Sequence, residues 1–489
     1  MKKREKLLAF VLAGAMSLTA LSGCGSTNKT DAVTLDPSNP VSLTVWHYYN
    51  GAQQAAFDAL VSDFNATVGR EKGIYVEGYS QGSVSDLESA VSDAAAGAVG
   101  AKELPDIFSS YSDTAYAVEK SGKLADLSAY FTQDELEAYV PSYIQEGYFH
   151  NDGKLYLFPV AKSTEITMIN TTDWAPFAEA TGATLEELST FEGITSVAQR
   201  YYQWTDAQTP DIPDDGKAFY GRDSMSNYFV IGMKQQGTDI FSVQDGAVTI
   251  QANKEQIRKL WDNYYVPYVN GWFTSLGKFR SDDVKTGDLL AYTGSSSSAV
   301  YFPDQVIQED GDHPIGYAVL PSPVFEGCTK IYVQQGAGMC VTKSDELHEY
   351  AACEFLKWFT QPENSLRFVC ESSYLPVRKD ANTVEALDKA IADNNLTISP
   401  KSYDCLKGIL ENFDSAAFYI PACFENGYAT RKVLDYDLSD KALADRAEID
   451  AAVASGTPRQ EAVAPYVTDA AFDTWYNAFC AKLESEAHP

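Results

Sequence analysis

Positive charge is scarce in this chain of 489 residues, where 37 Lys and Arg stand against 68 Asp and Glu for a net charge of −31. A nucleic-acid partner requires a basic footprint, so that class is excluded. The acidity favours solubility and leaves room for a local anion site at a helix N-terminus. Histidine is scarcer still. Five occur, all apart, at positions 47, 150, 313, 348 and 488, and none forms the H-E-x-x-H pair of a zinc enzyme. Neither a G-x-S-x-G elbow nor a phosphate-cradling G-x-x-x-x-G-K-[ST] loop is present. Asp435-x-Asp437-x-x-Asp440 lacks the glycine and distal glutamate of a calcium loop. Ser275-Leu-Gly-Lys278 and Lys285-Thr-Gly287 mimic two elements of penicillin-interacting enzymes, but they lie too close together to serve as such a pair. The eight cysteines contain no C-x-x-C, which argues against a zinc or redox motif. Cys353 stands among apolar helix positions and reads as a small buried hydrophobe. No metal and no cofactor is expected. Beyond the N-terminus no run of eighteen apolar residues exists to span a bilayer, and no internal repeat is found.

What is present begins with Lys2, Lys3, Arg4 and Lys6, an apolar stretch from Leu7 to Leu21, and then Ser22-Gly23-Cys24. A basic start, a short apolar core and small residues at its exit make an export signal. The apolar stretch is short for a membrane span. The cysteine at the exit resembles the lipobox of bacterial lipoproteins, in which residues 1–23 would be removed and Cys24 would carry lipid. A plain secretory signal is the alternative. Lipid at Cys24 would hold the chain on the extracytoplasmic face of the bacterial cell membrane, since each buried methylene adds about 0.8 kcal/mol. With Cys24 set aside, seven cysteines remain, so at least one has no partner within the chain. Residues 24–40 are small, polar and turn-prone, the composition of a flexible tether.

From Val41 to Pro489 the chain is too long for one ordinary core, and two domains are expected. Val41–Trp46 alternates apolar and polar residues as a strand does. Phe57, Leu60, Val61, Phe64 and Val68 recur at helical spacing. A second strand is predicted over 73–79, a helix over 86–98 and a third strand over 104–110. Alternation of this kind implies an α/β fold with a largely parallel sheet covered on both faces. Crevices in such sheets open beyond the C-terminal strand ends. Trp46, His47 and Tyr48, then Tyr79 and Gln81, then Ser109, Ser110 and Tyr111 leave those ends and offer hydroxyls or rings to a ligand. The same aromatics suit a core. Further on come a proline-interrupted strand over 153–160 and Ser163-Thr164-Glu165. A polar turn is predicted over 292–300, then a glycine loop over 332–338 and a helix presenting Leu347, Ala351, Phe355 and Phe359 on one face. Residues beyond about 382 read as mainly helical and carry the aromatic pair Phe418-Tyr419.

Three segments carry a resemblance: LPDIFSS at 104–110, GKLYLFPVAKSTEITMIN at 153–170, and VQQGAGMCVTKSDELHEYAACEFLKWFTQPENSLRFVCESSYLPVR at 333–378. Their order resembles the extracellular solute-binding proteins of family 1, the binding lipoproteins of carbohydrate importers. The similarity covers nearly the whole chain after the tether, with about 175–290 matching in outline only. Members commonly carry an aromatic and Tyr-Asn after the first crossing, where this chain has Met168-Ile169-Asn170. The resemblance implies a two-lobed fold of the periplasmic-binding type II class with a hinge between the lobes. One lobe would comprise 41–160 with 334–378, the other 161–333 with 379–489.

An enclosed sugar needs planar hydrogen-bond partners for its hydroxyls and aromatic rings for its apolar faces. At the first crossing Ser163, Thr164 and Glu165 suit either ligand oxygens or hinge hydrogen bonds. Gly294, Ser295 and Ser296 suit a cleft or a solvated turn. Gln334, Gln335 and Gly336 lie where the resemblance places backbone and amide groups against a ligand. Trp204 and Trp272 compete as stacking residues, whereas Trp358 belongs with the core. The function implied is capture of a sugar or oligosaccharide, without chemistry, by a monomer that delivers it to the permease subunits of an ABC importer. Ser163-Thr164-Glu165 is also similar to the segment of relatives that handle phosphorylated or zwitterionic solutes such as glycerophosphodiesters. An extracellular glycan hydrolase would need paired carboxylates facing each other across the cleft.

Overall fold

The computed structural model describes residues 33–489 apart from Asp245 and Asp310, so the signal segment 1–23, Cys24 and the first part of the tether lie outside the described residues. Two sheets organise the rest. The first has the strand order Ile74–Ser80, Val41–His47, Ile107–Ser110, Gly338–Val341, Phe158–Pro159. Its first three strands are parallel, and Gly338–Val341 runs against both of its neighbours. Helix Gly51–Ala66 buries Phe57, Leu60, Val61 and Phe64 against it, as the spacing predicts. Helix Val84–Ala96 starts two residues before its predicted position because Ser83 and Asp86 close a capping box. Helix Glu346–Phe359 turns Ala351, Phe355 and Phe359 inward, and Pro362 opens the next helix at a position that needs no N–H. Only Phe158–Pro159 of the strand predicted over 153–160 pairs with the sheet.

One position on the outer edge of this sheet is capped by a side chain. Asn65 donates from Nδ2 to Val76 O at 2.8 Å and accepts from Val76 N–H at 2.9 Å, standing where a sixth strand would pair.

The second sheet has the order Tyr317–Pro321, Glu165–Asn170, Ala291–Ser295, Tyr220–Arg222. Glu165–Asn170 is antiparallel to both neighbours. Residues 292–295, expected in a turn, are strand. Their polarity is satisfied internally: Thr293 hydrogen bonds Thr167 at 2.7 Å and takes the Tyr220 hydroxyl at 2.6 Å. A Cβ at Gly294 would lie 2.5 Å from Asp223 Oδ2, so any larger residue would displace that carboxylate. The short helical turn Ser296–Tyr301 follows directly. Helices Met225–Gln235, Lys254–Val269, Gly427–Ala454 and Asp469–Ala487 build this side's core, with Trp261, Tyr265 and Phe479 at its centre.

Two large apolar cores result, one from residues 41–161 with 337–377, the other from 169–333 with 424–487. The helices Val384–Asn394 and Pro400–Asn412 form a third, small core with Leu366, Val369, Cys370 and Leu375. Cys405 of the same pair packs beneath the second sheet, so these helices touch both sides.

Between the large cores three extended segments lie side by side. Ser163 and Gln335 exchange backbone hydrogen bonds at 2.8 and 3.0 Å, and Lys162 and Leu375 at 3.0 and 2.5 Å. Gly336, at φ +95°, fits only as glycine because a Cβ would meet Ala161 O at 2.8 Å. Beneath it the buried Lys162 ammonium holds Glu146 at 2.6 Å and Gly336 O at 2.7 Å. Among the described residues no helix is long and apolar enough to cross a membrane. The seven cysteines beyond Cys24 are unbridged.

Candidate functional site

The C-terminal ends of the central strands meet the second half of the molecule beside the crossings. Tyr48 turns its hydroxyl to 3.0 Å from that of Tyr374. Tyr111, at the end of the third strand, is partly buried, and its phenol is pushed up by desolvation and by the nearby Tyr374 and Glu88. Ser109 and Ser110 are buried at that strand's end, but Met339 and the Tyr111 carbonyl take their hydroxyls.

From the other side, Glu165 is clamped by Arg222 at 3.1 and 3.2 Å and by Asn227 Nδ2 at 3.0 Å. Asn227 also donates to Gln335 Oε1 at 2.9 Å, and Gln335 Nε2 donates to Thr164 O at 3.1 Å. Ser296 N–H donates to the same carbonyl at 2.7 Å, while Ser295 bonds the neighbouring Ser297 at 2.9 Å. The Ser163–Glu165 segment is therefore largely spent on joining the crossings to the second sheet. Asp223, beside Gly294, is driven up to about 6 by burial, partly offset by Arg280.

The two halves are in contact across these strand ends. Arg431 donates from Nε to Asp113 Oδ2 at 2.8 Å, and Gly427 at the start of its helix lies so close to Asp113 that a Cβ would reach 2.7 Å from Oδ1. Glu88 stands next to Asp113; burial and that second carboxylate raise it to about 7. Tyr301 donates to Asn50 O at 3.3 Å on another flank.

Beside this contact lies a cavity of about 1110 Å³. Tyr116, Tyr148, Phe149 and His150 line it from the first half, and Phe418 and Tyr419 from the second, with Gln334 and Glu146 at the crossing. Gln334 donates to Glu146 at 2.8 Å. His150 is held by Glu119 at 2.8 Å, with the Tyr116 ring 5.7 Å away. Among the described residues Lys120 is the only lysine or arginine on the lining, beside Glu146 and Glu425. The chemistry offered is aromatic faces interspersed with hydrogen-bonding groups and little positive charge, which suits a neutral polar molecule with apolar faces.

Of the residues expected to bind, Gln334, Phe418 and Tyr419 line the cavity. Glu165, Gln335 and Ser296 are joined in one hydrogen-bonded network through Asn227 and the Thr164 carbonyl, and Tyr48 pairs with Tyr374. The others stand elsewhere for physical reasons. His47 is fully buried against Phe57 and Tyr49, and Trp46 is buried in the first core. Tyr79 lies in, and Gln81 just after, the outermost strand of the first sheet, the one farthest in strand order from the crossings; Tyr79 is exposed and bonds Glu77. Trp204 packs on Phe177 and Tyr201, and Trp272 lies against the same core. Sequence reasoning missed the Tyr148-Phe149-His150 run and Tyr116, although three consecutive rings ahead of Asn151-Asp152-Gly153 were a visible signal. Asp435 and Asp437 serve Ser226 N–H and Trp475 Nε1, and no group of three or more possible metal ligands occurs among the described residues.

A family model for bacterial extracellular solute-binding proteins matches residues 59–397. The chain belongs to that family. No curated protein sequence matches it. Among solved structures this solute-binding protein is similar to a cyclic α-maltosyl-1,6-maltose binding protein from Arthrobacter globiformis, at 21% identity and TM-score 0.58, covering 91% of this chain and all of that one. It is also similar to UgpB from Mycobacterium tuberculosis in complex with glycerophosphocholine, at 15% identity and TM-score 0.64, with 92% and 100% covered. A third is the maltose/maltodextrin-binding domain MalE from Bdellovibrio bacteriovorus bound to maltotriose, at 13% identity and TM-score 0.63, again with 92% and 100% covered. These likenesses establish the two-lobed α/β fold.

Proposed function

We propose that this solute-binding protein captures an uncharged sugar or oligosaccharide between its lobes and hands it to the permease of an ABC importer. The lobes are 41–160 with 334–378, and 161–333 with 379–489, moving about the paired crossings. The single observation that carries this reading is the cavity between the halves, with rings on both walls and hydrogen-bonding groups between them. The likeness to a cyclic α-maltosyl-1,6-maltose binding protein and to a maltotriose-bound MalE domain supports it. No bond in the solute is broken, and the permease distinguishes the closed, loaded shape from the open one. A lipid on Cys24 keeps the monomer at the outer face of the membrane.

One observation favours a second reading, a glycerophosphodiester, namely the likeness to the glycerophosphocholine complex. The described lining offers a phosphate one lysine and no arginine, which weighs against that reading. Titration calorimetry against maltotriose, a cyclic maltosyl-maltose and glycerophosphocholine separates the two. Expected is saturable binding of a sugar, with affinity unchanged by added salt and at least tenfold weaker in Tyr116→Ala. Binding of glycerophosphocholine alone, falling steeply with salt, would establish the second reading. Release of hydrolysed sugar would overturn both.

A further inference from the structure

The contact between the halves holds a carboxyl group that lies outside the solute cavity. Helices Val84–Ala96 and Ser112–Lys120 of the first half meet the start of helix Gly427–Ala454 of the second. Arg431 of that last helix is committed to Asp113 at 2.8 Å, and Lys432 reaches Ser85 Oγ at 3.4 Å. One turn beyond Ser85 lies Glu88, only 7% exposed. Among the described residues it forms no ion pair and takes a single long hydrogen bond, 3.4 Å from the Thr114 hydroxyl. Asp113 and the Tyr111 phenol face it from the first half, Arg431 and Lys432 from the second. Asp435 stands near Arg431, and Cys423 near Asp113. A carboxyl so placed favours its neutral form. Burial penalises its charge, the adjacent Asp113 repels it, and the two cations offset only part of this. Glu88 is accordingly raised to about 7 from an ordinary 4.5.

We propose that closing the lobes takes up a proton at Glu88, so that acidification tightens the closed shape and alkali loosens it. The covering helix belongs to the second core through Leu434, Leu438 and Ala442, and it leaves with that core when the lobes part. Water then reaches Glu88, Arg431 withdraws from Asp113, and the carboxyl returns towards its ordinary range. The parted form therefore holds fewer protons than the closed one between pH 4.5 and 7. Across that window each pH unit gained moves the balance towards parted lobes by up to about tenfold. Below the window the proton's contribution to closure is complete, and above it none remains. The proposal rests on the lobe movement put forward above, but not on the identity of the solute.

Small-angle X-ray scattering of the unliganded protein across the window and one unit above it reads the balance between the two forms. Infrared difference spectroscopy reads the protonated carboxyl directly. Glu88→Gln keeps the shape of the neutral carboxyl and removes its titration. In the native protein the radius of gyration is expected to grow as pH rises through the window, with the ratio of parted to closed molecules rising by up to about tenfold per unit. A protonated-carboxyl band is expected in the middle of the window and is lost in Glu88→Gln, which stays compact throughout. The same growth of the radius in both proteins would show lobes moving under another group's control, and it overturns the role of Glu88. A band equal in both proteins overturns its protonation. A fixed radius in the native protein overturns the coupling; if the radius is also unchanged in Asp113→Asn, the lobe movement itself fails.

Discussion

His47 shows how a residue that suits a binding site can belong to a core. Its ring lies 4.6 Å from Phe57 and 5.2 Å from Tyr49, and Nδ1 accepts from Tyr49 N–H at 3.2 Å. Burial lowers it to about 4 from an ordinary 6.5. The unfolded chain therefore takes up the proton near pH 6.5 while the folded one resists until about pH 4, so the unfolded state binds more protons between those values. Stability is intact above pH 6.5 and is lost as pH falls through that window, by up to about 3 kcal/mol from this group. In His47→Phe this part of the acid sensitivity is expected to vanish. Urea unfolding of both proteins at pH 7 and pH 4.5 checks it: the variant must gain on the native protein at the lower pH, and a pH-independent difference refutes the assignment. Glu88, raised to about 7, acts in the opposite sense, with stability falling as pH rises from the usual carboxylate range towards 7.

At the scale of elements, the crossings are fixed by buried charge. Arg222 and Glu165 are each buried, and the guanidinium also lies 4.8 Å from the Tyr228 ring. Removing one partner leaves the other charged without compensation, which costs about 3–5 kcal/mol. Arg222→Met is expected to lower stability by that amount in denaturant melts, whereas Arg222→Met with Glu165→Leu recovers most of it. A double variant as unstable as the single one would contradict this account. Elements of this kind were partly legible in the sequence. Helix 51–66 and the helix after residue 345 were readable because their apolar residues recur at helical spacing. The turn predicted over 292–300 was not, because Thr293 and Tyr220 satisfy one another only once the second sheet has formed. Tyr79 was misplaced because strand order, which no local pattern encodes, sets its strand at the sheet's outer edge. Gln334 came from the resemblance carried by residues 333–378 rather than from a local pattern, and Gly336 beside it has a backbone that only glycine tolerates.

At the scale of the whole molecule, two large cores touch through a small number of polar contacts, which are the ones that must break for the lobes to part. Asp113 with Arg431 is the most buried of these contacts, the carboxylate side chain being 6% exposed. Asp113→Asn is expected to shift the population towards separated lobes, seen as a larger radius of gyration in small-angle X-ray scattering without loss of helix content. An unchanged radius would show that the pair does not hold the lobes together. The small core shared by Leu366, Leu375, Leu387 and Leu406 belongs to helices that touch both sides.

The amide of Asn65 against Val76 matters beyond the single molecule. A bare outer strand invites a like strand from a neighbour, and crowding then favours ribbons that grow without limit. By occupying both hydrogen-bonding groups of Val76, one short side chain removes the middle of that border from the positions a like strand could pair with.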